Sequence, residues 1–438
     1  MLKKLAGSLW VLFVVVSLLA APCVNAASES AEIIVSAQNF DEYLPDVAYN
    51  SVRDEYFVVW HDKSPLQSRS IMARRYTAAG AFIAEYIIAF EDSPPRDNAQ
   101  PSVAYDPVND RYLVVWVHDY FGTGSDWDVY GRFVPWNGPI VGLAAFSINS
   151  FPSKQWNPRI AFGGTAQEFM VTWWNEGSGG VKSYVSAQRV AAAGNTVGGA
   201  ITVTYDALEE RVAPDIAYNH ARNEYIIAYQ RMDAGGGNIY GVRLSGGGAI
   251  LGGGDFGIAA WPDAETSPRI SASRVSDRWA VVWNSQVTAS EKDVFARLVW
   301  VNGTGAIETA APVNIDHTDL NEIRPDVSAF PESSNFLVAY QAQYSNLSGK
   351  YGIHAQVLNA DNTLGRFFLP RGLYIGEILT DCSAPAVAGG KGDWMVAWEH
   401  DRDATPTYQD IHGRVLFDEI FSDGFESGNT TRWSSTVP

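Results

Sequence analysis

The sixteen residues "PDVAYNSVRDEYFVVW" at positions 45 to 60 return as "PSVAYDPVNDRYLVVW" at 101 to 116. Nothing else in the chain limits its fold so tightly, because a unit written many times has to pack against its own copies. The pattern Pro-x-[Val/Ile]-[Ala/Ser] recurs at Pro45, Pro101, Pro158, Pro214, Pro268, Pro325 and Pro385, with spacings of 56, 57, 56, 54, 57 and 60. Fifteen residues after the first six prolines stands a large ring: Trp60, Trp116, Trp173, Tyr229, Trp283 and Tyr340. In the seventh copy Trp398 comes after thirteen, because "GGKGD" shortens the turn.

Each unit continues through a variable loop into a third apolar stretch: "IMAR", "VYGR", "VSAQ", "IYGV", "VFAR", "IHAQ" and "IHGR". The third residue of that stretch is always small (Ala73, Gly131, Ala187, Gly241, Ala296, Ala355, Gly413), which predicts close approach of neighbouring sheets around the large rings. A Gly-rich or Asn-Gly turn usually follows, then a fourth stretch such as "ITV" or "VNI". Four strands per unit and no helical periodicity predict an all-β chain, a seven-bladed β-propeller of four-stranded antiparallel blades. The strands read as near-continuous apolar runs, which suits sheets covered on both faces by neighbouring blades.

The seventh unit ends after its third strand, "DIHGRVLF", whereas "AEIIVSAQNFDEYLP" before the first unit reads as an orphan fourth strand. The N-terminal strand is therefore expected to pair with residues 410 to 417 and complete the last blade, which also removes an open sheet edge. The unit resembles the repeats of exported bacterial seven-bladed propellers, typically P-x-[VI]-A-Y, E-Y-[LF]-V-V-W and D-I-Y-[GA]-R, over residues 31 to 417. That resemblance implies a propeller in an extracellular or periplasmic setting and no particular activity. The closing "IFSDGFESGNTTRWSSTVP" resembles an Asp-Gly-Phe-Glu-Ser-Gly tail of assorted exported bacterial proteins, which implies a sorting or export signal; an acidic unstructured tail is the other reading.

Three segments follow: a signal peptide over 1–26, the propeller over 27–417 and the tail over 418–438. The first is read from "MLKKLAGSLWVLFVVVSLLAAPCVNA", two lysines before an apolar run and a small-residue stop. Removing it leaves 29 basic side chains (31 less Lys3 and Lys4) against 49 acidic ones. Such a surface repels nucleic acid and anionic membranes, and suits a soluble monomer at the cell surface, in the periplasm or outside the cell. Cys23 leaves with the signal, so Cys382 stands alone and no disulfide framework exists.

Alternating strand directions put the second-to-third and fourth-to-first loops on one face, here called the top. Its loops are acidic: "EDSPPRDNAQ", "YDALEERVA", "WPDAETS", "DHTDLNEIR" and "QNFDEYL", with Asp62, Asp119, Glu176, Asp233, Asp401 and Asp403 added from second-to-third loops. Beside the rings Trp60, Trp116 and Trp398 stand His61-Asp62, His118-Asp119 and His400-Asp401, expected to form a ligand-binding face. Histidine and carboxylate together could ligate a metal or move protons, but blades about 10 Å apart cannot share one ion, so solvated loop polarity is the plainer meaning.

One place after each proline stand Asp46, Ser102, Arg159, Asp215, Arg269, Asp326 and Ala386. With the first strand innermost they line the channel mouth, where interblade ion pairing competes with a glycosidase reading of Asp46, Asp215 and Asp326. No cofactor is expected; calcium is the one cation suited to the acids Asp316, Asp319 and Glu322. No EF-hand loop, P-loop, nucleophile elbow or zinc-finger spacing is present. The first functional expectation is a binding scaffold that takes an extracellular protein or carbohydrate through its acidic, aromatic-bearing top loops. A polysaccharide hydrolase or lyase with carboxylates at the channel mouth, and a structural surface protein, stand as alternatives, since propellers host both enzymes and binders.

Overall fold

The computed structural model describes residues 29–417, apart from 64–67, 92–94, 138–143, 152, 233–235, 317, 346–348, 366–372, 376–379 and 403–407. The expected signal peptide and C-terminal tail lie outside the described residues, as do Asp233 and Asp403. Seven antiparallel sheets stand around a central channel, with no helix among the described residues. Blade one runs outward from the axis through Asp41–Asn50, Glu55–Lys63, Ser70–Thr77 and Phe82–Ala89. The other blades repeat this order. Blade five has its outer strand split into Ile307–Thr309 and Val313–Asn314, and among the described residues the outer strand of blade six is Leu373–Tyr374.

Ring closure follows the sequence expectation. Ile33–Ser36 is the outer strand of blade seven, with Ile33 opposite Gly413 and Ile34 opposite His412 on Gln409–Phe417. Ser30 N–H also donates to the Val415 carbonyl at 2.8 Å, and Arg414 reaches Glu29 at 2.8 Å. The N-terminal strand thereby completes blade seven with backbone bonds and covers the outer edge of Gln409–Phe417.

The repeated rings and small residues meet between blades. Trp116 packs with Ala73, Val59 and Ile88 of the preceding blade, and Trp398 packs with Ala355 and Ile353 of its predecessor. Trp60 of blade one lies with Ala397 and Met395 of blade seven, so the same joint seals the ring. Each of these indoles is at most 1% exposed, and burial of such rings supplies most of the cohesion between wedges.

The prolines mark a feature of the inner strand. In all seven blades the pairing register slips just before Pro+1, as between Tyr43 and Asp46 or Thr266 and Arg269. The residue ahead of each proline has positive φ: Leu44, Gln100, Asn157, Ala213, Ser267, Arg324 and Ala384, all between 47° and 55°. Proline has no N–H for the ladder, so a bulge at this point spares the sheet a missing bond. The bulge turns the peptide before each proline toward the axis, and these peptides with their prolines wall the upper channel.

Candidate functional site

Trp60, Trp116 and Trp398 are interblade core, with no face open to a ligand. The expectation that they form a binding surface is corrected accordingly. His61, Asp62, His118, Asp119 and His400 are buried as well, and Asp401 is half-buried. Asp62 Oδ1 accepts from the Ser70 amide at 2.9 Å, and Asp119 Oδ2 from the Gly124 amide at 2.7 Å, so both hold the feet of their loops. His118 Nδ1 lies 3.0 Å from Asn98 Oδ1, and burial pushes the His61 imidazole down to about 3. His400 stacks on His412 of its own blade, with ring centroids 4.0 Å apart.

The acids Asp316, Asp319 and Glu322 form no common coordination shell. Tyr340 donates to Asp316 at 3.1 Å, Thr318 binds Glu322, and Asp319 is exposed. Among the described residues, the one trio of histidine and acidic donors gathered within 4.8 Å is Glu32, His400 and His412.

The channel mouth is a cavity of about 300 Å³ walled by six of the seven prolines, all but Pro214, and by the seven bulge residues ahead of them, with Arg159 and Arg269. Asp46, Asp215 and Asp326 are brought to it, each tied to the next blade: they accept from the amides of Val103, Ile270 and Val387 at 2.9, 2.8 and 2.7 Å. Arg159 stands 3.9 Å from Asp46 and Arg269 3.6 Å from Asp326. Burial, together with the like charges of Asp215 and Asp46, raises the Asp326 carboxyl to about 6 despite Arg269. Every carboxylate here has a structural partner.

A second top-face feature joins the mouth at Gln100 and Asn157. It is an open groove of about 520 Å³, lined by Trp156, Trp174, Glu176, Ser183, Glu210 and Met232, among others. Trp156 and Trp174 sit opposite one another on the first two strands of blade three, Gln155–Gly163 and Glu168–Asn175. Alternation explains why Trp174 is available. Trp173 points into the blade joint and is fully buried, so its neighbour faces the other way and stays half-exposed. Trp156 is further braced by Trp127 of blade two, ring centroids 5.4 Å apart, and its Nε1 donates to Glu176 Oε2 at 3.0 Å.

Glu210 opens the inner strand of blade four, Glu210–Asn219, and closes the groove from that side. Its Oε2 accepts from the Ser183 amide at 2.5 Å, and Lys182 Nζ lies 3.3 Å from Oε1. Burial alone would push this carboxyl up; the Ser183 hydroxyl and amide and Lys182 outweigh it and hold it below the usual glutamate value. Glu176 is exposed, 4.0 Å from Lys154. The groove thus offers two indoles side by side and two carboxylates, one held ionised. The sequence pointed to Glu176 and to the acidic "YDALEERVA" loop but passed over Trp156 and Trp174; the doubled tryptophan in "TWWN" was the available signal.

No protein-family model and no curated protein matches the chain in sequence. Solved structures match its fold. The polysaccharide lyase Uly1 superimposes with a TM-score of 0.54 at 9% identity, covering 89% of this chain and 100% of that one. The α-L-arabinofuranosidase Arb93A from Fusarium graminearum gives 0.50 at 11% identity, covering 76% and 98%. A complex of the GH93 arabinofuranosidase of the same fungus with arabinobiose also gives 0.50, at 12% identity. At such identities the likeness establishes the propeller fold.

Proposed function

We propose that this is an exported propeller that binds a polysaccharide along the blade three to blade four groove and cleaves it there by hydrolysis. The observation that carries the reading is the Trp156–Trp174 pair beside Glu176 and Glu210 in one open groove. Sugar rings present an apolar C–H face to an indole and hydroxyls to carboxylates, so adjacent indoles flanked by acids match consecutive sugar units. Structural neighbours that act on or bind glycans support this over the scaffold reading favoured by the sequence alone.

In this scheme Glu210, kept ionised by Ser183 and Lys182, takes the proton of an attacking water or attacks the anomeric carbon itself. Glu176 on the same groove delivers the proton to the departing glycosidic oxygen, and one water is consumed per bond broken. Export rests on the "MLKKLAG" start and its apolar run. No helix among the described residues is long and apolar enough to cross a membrane.

The test is release of new reducing ends from a panel of arabinan, ulvan, pectin and xylan. Glu210→Gln should abolish release while leaving retention of the substrate on an affinity gel. Binding with no release by the unaltered chain would return the protein to the scaffold reading. Neither binding nor release across the panel would overturn the groove assignment.

A further inference from the structure

Blade seven, where the chain ends meet, carries a second chemical grouping that the groove does not use. Glu32, at the lead-in to the N-terminal strand, His412 on the third strand and His400 on the second strand point to the same sheet face. Their donor atoms all lie within 4.8 Å of one another, and both imidazoles are buried. His412 Nδ1 is 2.6 Å from Glu32 Oε1. Beside them Cys382, fully buried on the inner strand, places Sγ 3.8 Å from His400 Nδ1.

We propose that this cluster is a structural site for a zinc-class transition-metal dication, with Glu32, His400 and His412 as ligands and the Cys382 thiolate as the fourth. Imidazole and thiolate donors select such an ion against calcium or magnesium, which take oxygen ligands. Four protein donors and a buried position fit a closed structural zinc site, since a catalytic one leaves a position open to water. An orienting partner is also present: Arg414 lies 3.6 Å from Glu32 Oε2. Side-chain rotation must draw the trio from within 4.8 Å, and Cys382 from its place beside His400 outside that trio, toward the 3 to 4 Å separations that bonds of about 2.0–2.3 Å require, and Cys382 gives up its proton on binding. The site joins Glu32, just ahead of the N-terminal strand, to the last blade, so the ion would pin the closure that the backbone bonds begin.

The chain from residue 27 to 438, stripped with chelator, is titrated with Zn2+ and separately with Co2+. One ion per chain is expected, with a rise in melting temperature at saturating zinc and cobalt bands of tetrahedral intensity. His400→Gln and His412→Gln should each weaken uptake by about tenfold or more, and Cys382→Ser should erase the thiolate charge-transfer band. Either histidine change could loosen the blade by itself, so the cobalt spectrum of the unaltered chain decides independently. Absence of any cobalt band, or zinc uptake equal in the unaltered chain and both histidine variants, would overturn the site; a tetrahedral spectrum without the thiolate band would overturn the fourth ligand.

Discussion

The Asp46 carboxylate on the inner strand of blade one accepts the Val103 amide of blade two at 2.9 Å, just beyond that blade's proline bulge. Asp215 does the same to Ile270 at 2.8 Å and Asp326 to Val387 at 2.7 Å. The demand comes from the edge position: Val103, Ile270 and Val387 lie in register with the second strand of their blades, but every other amide of an innermost strand faces away from the ladder and needs another acceptor. An aspartate one place after the proline reaches across the joint to meet it. These acids therefore work as interblade ties, a role that explains their place at the mouth without substrate.

Asp46→Ala should leave the Val103 N–H without its acceptor and cost about 1–3 kcal/mol. Asp46→Asn keeps an accepting oxygen at nearly the same place and should cost clearly less. Urea denaturation of the two variants checks the order. Turnover should survive Asp46→Asn; its loss would move the catalytic site from the groove to the channel mouth.

A pH dependence follows from Glu42, three residues ahead of the first proline. Burial raises its carboxyl to about 7, although the Ser36 hydroxyl and the Trp60 indole N–H both donate to Oε1. The folded chain then keeps a proton that the unfolded chain releases above 4.5, so this group's contribution to stability falls as pH rises from 4.5 toward 7. Glu42→Gln retains the accepting oxygen and carries no charge. Its melting temperature should match the unaltered chain near pH 4 and exceed it at pH 8, by at most about 3 kcal/mol of stability. An equal gap at both pH values would remove Glu42 from the account.

The ring was readable because its determinants repeat: a large buried ring fifteen residues after each of six prolines, and a small residue on each third strand, are visible without coordinates. The closing strand was readable too, since a missing fourth strand and an orphan strand account for each other. The bulge was not, because its positive-φ residues are as unlike as Leu44, Gln100, Asn157 and Arg324, and no side-chain preference marks them. The groove was half readable. Its acids sit in loops that composition exposes. Trp156, by contrast, is presented by a neighbouring blade's Trp127 and by a cross-strand partner, relationships that exist only once register is fixed.

Gly241 tests the joint between blades four and five. A Cβ placed there would lie 2.6 Å from Phe256 Cζ and 3.1 Å from Ile258 Cδ1, both on the outer strand of the same blade. Ile258 in turn packs with Trp283 of the next blade, so displacement is passed into the joint. Gly241→Leu should cost on the order of 1–3 kcal/mol by overpacking, and Trp116→Ala roughly 3–5 by leaving a cavity. Differential scanning calorimetry of the two variants reads both effects, and unchanged melting would contradict the packing scheme.

The groove makes its own pH prediction, carried by Lys182. Glu210 serves as base or nucleophile only while ionised, so cleavage should fall away on the acid side as pH drops through its pKa. Ser183 and Lys182 hold that value below the ordinary glutamate figure of 4.5 against the opposing push of burial, so the acid limb should lie below pH 4.5. Lys182→Ala removes one of the two stabilising partners and leaves Ser183 in place. The limb should then move to higher pH while the rate on the plateau changes less, because the ionised fraction, and not the nucleophile, has been altered. The measurement is reducing-end release from pH 3 to 8 for both chains. A limb that stays put in Lys182→Ala would mean that the group titrating in the reaction is not Glu210.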